Sequence, residues 1–173
     1  MAGKERGPLR SFLSPISSGS GAVVSSVGLG DLTVLEGFTI DGQGTAQYGL
    51  DSWTSFLRVN DCAFVNSSAG ANLRYGDRSI LDGNRFTSNS NGVAVGDSAR
   101  PFLRGNVIEL NTFSGIYNTG DPGPEVGRTL ADANDIMDNT YFQVFNQAGI
   151  VVDADYNYWG SDCVGDSLFF NLV

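Results

Sequence analysis

Between residues 32 and 152 one short phrase recurs at near-constant spacing: an apolar residue, a second apolar residue five positions on, then Asn, then Gly with one or two apolar residues after it. Its copies read LTVLEGFTIDG from Leu32, FLRVNDCAFVNSSAG from Phe56, ILDGNRFTSNSNGVAV from Ile80, FLRGNVIELNTFSGIY from Phe102 and LADANDIMDN from Leu130. The central apolar anchors Ile40, Phe64, Phe86, Ile108 and Ile136 follow one another after 24, 22, 22 and 28 residues. A period of that length means a solenoid, because each repeat is too small to bury its own apolar face and must stack on its neighbours.

The local pattern says what is stacked. Apolar and polar residues alternate around each anchor, the mark of a strand, and place Phe38/Ile40, Cys62/Phe64, Asn84/Phe86, Asn106/Ile108 and Asn134/Ile136 inward. Later strands add Leu50, Leu73, Val93 with Val95, and Ile116, after a turn carrying Asn66, Asn89, Asn111 and Asn139. One turn of parallel strands per repeat puts equivalent residues above each other, so these Asn side chains can bond along the column as a satisfied buried ladder. Gly70, Gly92 and Gly115 are expected to give the tight corners their backbone freedom. The fold class is therefore all-β, a right-handed parallel β-helix of about five to six coils.

Residues 22–162 form the solenoid in this reading. Residues 1–21 are a lead-in whose Leu9, Phe12, Leu13 and Ile16 have helical spacing, which predicts a short N-terminal capping helix ended by Pro15. AVVSSVGLG at 22–30 reads as a strand paired with the following coil. NTGDPGPEVGRTL at 118–130, rich in Gly and Pro, predicts a strandless loop that absorbs the 28-residue step. Residues 163–173 end in LFFNLV, too apolar to hang in water, which predicts a lid over the last coil or a homodimer through this end.

Composition excludes several chemistries. The chain of 173 residues contains no His and carries a net charge of −9, with Lys4 its one lysine. Without imidazole there is no Ser-His-Asp triad and no His-based metal site. The acidic balance argues against nucleic acid, whose affinity comes from Lys and Arg, and against polyanionic sugars unless a cation or a local Arg cluster intervenes. With coils about 4.8 Å apart, Cys62 and Cys163 lie roughly 14–19 Å apart along the axis unless the tail folds back, which predicts buried thiols. No segment is apolar enough to span a membrane, and MAGKERGPLRSFLSPI lacks the core of a signal peptide. The expectation is a cytoplasmic protein or an excised piece of a longer secreted one.

GFTIDGQG at 37–44 resembles the GFTI-type opening coil of bacterial and archaeal cell-surface proteins with the right-handed parallel β-helix, pectate-lyase-like fold. NRFTSNSNGVAV at 84–95 and NVIELNTFSGIY at 106–117 are similar to that family's generic coil, and VDADYNYWGSD at 152–162 to its NxWG closing segment. The resemblance covers about residues 22–162 and implies the fold and a secreted or cell-surface location. It does not imply one activity, because the scaffold carries lyases, hydrolases, epimerases and plain stalks. The His motif of its polygalacturonase-like hydrolases and the DPHD-like motif of its alginate epimerases are both missing here.

Two outward-facing sets carry candidate chemistry. On the first strands, Arg85, Glu109 and Asp135 fall on successive coils. Metal-assisted lyases of the resembled fold hold calcium against a uronate with such carboxylates and use Arg as base. The plain alternative is a surface salt-bridge ladder, favoured by the interruptions Ala63, Val65, Val107 and Met137. On the later strands and turns, Asp51, Trp53, Arg74, Asp77, Asp97, Arg100 and Tyr117 mix aromatic planes with polar groups, as sugar recognition requires. Asp153, Asp155 and Asn157 imitate an EF-hand start, but Tyr158 and Val164 break the pattern, so the segment reads as a closing turn. Asn66-Ser67-Ser68 fits an N-glycosylation site and is read as structural. The expected function is a non-catalytic module binding a polysaccharide, a cell-surface glycan or another extended surface, with no cofactor; the alternatives are a calcium-assisted polysaccharide lyase and a purely structural or oligomerising unit.

Overall fold

A computed structural model describes residues 11–13, 21–30, 33–121, 123–160 and 169–171. The chain winds as a parallel solenoid with three sheets. Sheet A stacks β1 (Ser11–Leu13), β4 (Phe38–Asp41), β7 (Ala63–Val65), β10 (Arg85–Thr87), β13 (Val107–Glu109) and β16 (Asp135–Met137). Sheet B stacks β2 (Ala22–Val27), β5 (Tyr48–Trp53), β8 (Ala69–Arg74), β11 (Asn91–Val95), β14 (Ser114–Asn118), β17 (Phe142–Asn146) and β18 (Phe169–Asn171). Sheet C holds β3 (Val34–Glu36), β6 (Arg58–Asn60), β9 (Ile80–Asp82), β12 (Phe102–Arg104) and β15 (Glu125–Val126). Its five strands are separated by about four full turns, fewer than the five to six coils expected. Past β17 the described chain continues the stack only through an Asp135–Tyr158 bridge and β18, so the last coil is incomplete. Among the described residues no helix is long and apolar enough to cross a membrane.

The predicted interior stack is present. Ile40, Phe64, Phe86, Ile108 and Ile136 are in register and fully buried, and the rings of Phe64 and Phe86 stack 4.9 Å apart. Leu50, Leu73, Val93, Val95 and Ile116 line the sheet B side. Val59, Leu81, Leu103 and Val126 close the third side, a strand that the sequence reading did not separate from the first. Each large apolar side chain buried this way is worth about 1.5–3 kcal/mol.

Two ladders of buried amides run up the corners. At the sheet A to sheet B corner, Ser67, Asn89 and Asn111 donate their backbone N–H to Oδ1 of Asn89, Asn111 and Asn139 at 3.0, 3.1 and 3.1 Å. Asn66 is not in this column: it is exposed, with φ 57°, and Ser67 takes the inner place. Asn66, Ser88, Leu110 and Asp138 form the left-handed corner itself, a conformation Asn tolerates well. A second ladder, Asn84–Asn106–Asn134–Asn157, runs between sheets C and A. Gly70, Gly92 and Gly115 have no left-handed φ, contrary to expectation; they are required for space. A Cβ on Gly92 would lie 2.6 Å from the Gly115 carbonyl oxygen and from Ile108 Cγ2.

The ends differ from the sequence reading. Residues 11–13 form β1, paired with β4, instead of the expected capping helix. Open N–H and C=O groups at a sheet edge recruit a strand, and this outweighs a weak helical spacing. Leu13 packs against the core; Leu9 and Ile16 lie outside the described residues. The 118–130 segment is not strandless, since Glu125 and Val126 pair with Phe102 and Leu103. The insertion comes later: Glu125 precedes Asp135 by ten residues where Phe102 precedes Val107 by five, and the excess is taken up near a 3-10 turn at Leu130–Asp132. The C-terminal strand β18 pairs parallel with β17 as the next rung of sheet B. Cys62 is buried with Sγ 3.6 Å from the Leu35 carbonyl; Cys163 lies outside the described residues.

Candidate functional site

Sheet A places its outward residues in the two columns the alternation predicts. Arg85, Val107 and Asp135 are in register, as are Thr87, Glu109 and Met137. Arg85 is exposed and its guanidinium is ion-paired with Glu109, whose residue is only 8 % exposed. Asp135 stands one coil beyond Val107 and two coils from Arg85. Among the described residues no group of three or more Cys, Asp or Glu side chains is placed to hold a metal ion.

Sheet B brings more together. Asp51, Asn72, Ala94, Tyr117 and Phe145 form one outward column, with Trp53 and Arg74 in register beside it. Asp51 holds the Arg74 guanidinium through both oxygens at 3.2 and 3.1 Å and accepts a 2.8 Å bond from Asn72 Nδ2. The guanidinium carbon lies 4.6 Å from the Trp53 ring centre and 5.6 Å from those of Tyr48 and Tyr75. Trp53 meets Tyr75 edge-on at 5.4 Å. Such contacts fix the arginine and orient both rings. Arg74 Nε is buried without a hydrogen-bond partner, a rare state for a native polar atom.

A depression of about 280 Å³ opens beside this group, lined in part by Asn72, Arg74, Tyr75, Asp97, Tyr117 and Thr119. Of the residues singled out in sequence, Arg74, Asp97 and Tyr117 meet here, and Asp51 and Trp53 brace Arg74. Asp77 does not belong: it is fully buried and accepts bonds from Ser52 Oγ at 2.6 Å, Ser55 N at 3.2 Å and Ser79 N at 2.8 Å. Its carboxylate ties the sheet B to sheet C corner from inside. Arg100 is exposed in the turn before β12 and does not line the depression. Asn72, Tyr75 and Thr119 were missed; the signal the sequence offered for Tyr75 was an aromatic residue between Arg74 and the turn glycine Gly76, and the structure gives it φ 55°.

The aromatic surface continues toward the C-terminal end. Tyr117 stacks on Phe145 at 5.4 Å and donates its hydroxyl to Gln147 Oε1 at 3.0 Å, while Phe113 contacts Tyr117, Tyr141, Phe142 and Phe145. A second depression, of about 600 Å³ at the sheet A to sheet B corner, is lined by Gln43, Asn66 and serines and has no ring to stack on a sugar. The EF-hand-like segment is structural: Asn157 Oδ1 accepts from Asn134 N and Nδ2 at 2.9 and 2.8 Å, and its Nδ2 donates to Val126 and Ala154 carbonyls. The NYWG segment thus supplies the top rung of the second ladder.

No curated protein and no solved structure matches the chain. The model of the right-handed β-helix region matches residues 18–164. That span covers every strand of the three parallel sheets except β1 and β18, both amide ladders and the closing NYWG turn, so the chain belongs to the right-handed β-helix family.

Proposed function

We propose that the protein is a non-catalytic β-helix module that binds carbohydrate across the outward face of sheet B. One observation carries this reading: aromatic planes and fixed polar groups surround one depression on a rigid sheet. Trp53 and Tyr75 keep 36 % and 47 % of their surface exposed, which leaves ring area for the apolar face of a sugar. Arg74, Asn72, Asp97 and Thr119 offer donors and acceptors for its hydroxyls, and Tyr117 supplies a further ring. Trp53 and Tyr117 stand on strands three coils apart, so a chain of several sugar residues would span them. Sheet A supports the lyase alternative less well, because Arg85 is engaged by Glu109 and Val107 separates it from Asp135.

A glycan array followed by titration of the hit against tryptophan fluorescence tests the proposal. Trp53→Ala and Tyr117→Ala should each weaken binding about tenfold, since about 1.4 kcal/mol of lost stacking is a factor of ten. A blank array, or variants that bind like the native chain, would refute it. So would unsaturated products from uronate polymers with calcium that disappear in Arg85→Ala.

A further inference from the structure

Sheet C carries a feature that the carbohydrate reading does not use. Its outward positions form two columns, Glu36–Asn60–Asp82–Arg104 and, before it in each strand, Val34–Arg58–Ile80–Phe102–Glu125. Two residues earlier in each of three successive coils stand Phe56, Arg78 and Arg100, just before β6, β9 and β12. The burial pattern alternates through all three segments, with Leu57, Ser79 and Pro101 buried between exposed or half-buried neighbours, so the three arginines project from one face.

Of the arginines among the described residues, Arg74, Arg85, Arg104 and Arg128 have carboxylate partners. Arg58, Arg78 and Arg100 have none among the described residues, although the chain carries nine more negative than positive charges. Arg78 and Arg100 are also directly opposite on adjacent coils, roughly 5 Å apart at Cα. Like charges at opposite positions destabilise a sheet, and a surface rich in acids could have paired them. An arrangement that costs stability and repels itself is complementary to an anion from outside.

The neighbours of these arginines define what kind of anion. Phe56 is 37 % exposed, Ile80 and Phe102 are half-buried, and Asn60 is the one amide in the outward columns, where Asp82 and Glu125 are already paired with Arg104 and Arg128. A sugar polymer would find few hydrogen-bond partners there beyond the guanidinium groups. An extended peptide that alternates carboxylates with apolar side chains would find both a charge partner and an apolar seat. We propose that the outer face of sheet C, centred on Arg58, Arg78 and Arg100, docks an acidic, apolar-interleaved segment of a partner protein. Charge complementarity names the occupant, and the site is separate from the sheet B depression.

A fluorescein-labelled decapeptide of alternating Glu and Val, titrated with the full chain and read by anisotropy, tests this. The peptide should bind at low salt, weaken as salt rises, and lose at least tenfold in affinity with Arg78→Gln/Arg100→Gln; the matching Lys-Val peptide should not bind. The double variant should melt at or above the native temperature, because removing a like-charge contact relieves the sheet. If it fails to fold, Arg58→Gln is measured in its place and should weaken binding about threefold or more. Absence of binding by the Glu peptide, or affinity unchanged in the variants, overturns the proposal. Heparin or polygalacturonate binding through these arginines while the peptide does not bind would assign the face to an anionic glycan and overturn it equally.

Discussion

Asn106→Ala should be among the most damaging single substitutions in this protein, and the structure gives the reason atom by atom. The Asn106 side chain donates from Nδ2 to the Leu81 carbonyl and to Asn134 Oδ1, both at 2.9 Å. Its Oδ1 accepts from the Asn84 backbone N–H at 2.9 Å and from Asn84 Nδ2 at 3.1 Å. Truncation strands the buried backbone N–H of Asn84 and one Nδ2 hydrogen of that residue, whose other hydrogen stays on the Val59 carbonyl at 2.8 Å. At about 1–3 kcal/mol for each orphaned group, the loss is about 2–6 kcal/mol, a large part of a typical domain's stability. Asn60→Ala is the control, because Asn60 lies on the outward face of β6 and should change stability by no more than about 0.5 kcal/mol. Urea unfolding followed by circular dichroism measures both variants. Solenoid stability is a sum of coil and interface terms, so hydrogen exchange at the Asn84 amide reads the same loss locally. A loss below about 1 kcal/mol, or one equal to that of Asn60→Ala, would show that the ladder is not what holds this corner.

Gly92→Ala should destabilise by about 1–3 kcal/mol in the same unfolding assay, since the new Cβ meets a carbonyl oxygen and a buried Ile at 2.6 Å. Gly149→Ala, with nothing within 4 Å of its Cβ, should stay within about 0.5 kcal/mol. Deleting residues 168–173 removes β18 and bares the edge of β17, so light scattering should report aggregation or a new oligomeric state. A truncated chain of unchanged mass and melting temperature would mean that the edge needs no cover.

The solenoid was legible because its cause is periodic. Ile40, Phe64, Phe86, Ile108 and Ile136 fill one interior stack, and a 22-residue step leaves no other way to bury all five. Asn84, Asn106 and Asn134 could be placed inward for the same reason. What the spacing hid lies at the corners, where alternation changes phase. Asn66 and Ser67 exchanged places because a left-handed corner residue turns one position outward before the ladder begins. Asp77 reads in the sequence as a surface charge in a turn, yet Ser52 and the Ser55 and Ser79 amides supply donors that let it sit inside. The third strand of each coil was folded into the first because only a short corner separates Val59 from Phe64 or Leu81 from Phe86. For the site, Trp53, Arg74 and Tyr117 were visible as outward residues of the right chemistry. Asn72 and Thr119 carry no pattern of their own and enter only because sheet register sets them around the same depression.

Glycan contact is proposed on sheet B and not at the Arg85–Glu109 pair on sheet A. Backbone amide NMR of the native chain, recorded while the best array ligand is added, tests it most directly. Shift changes should concentrate at Asn72, Arg74, Tyr75, Asp97, Tyr117 and Thr119. Changes centred on Arg85, Glu109 and Asp135, or spread without a focus, would contradict it.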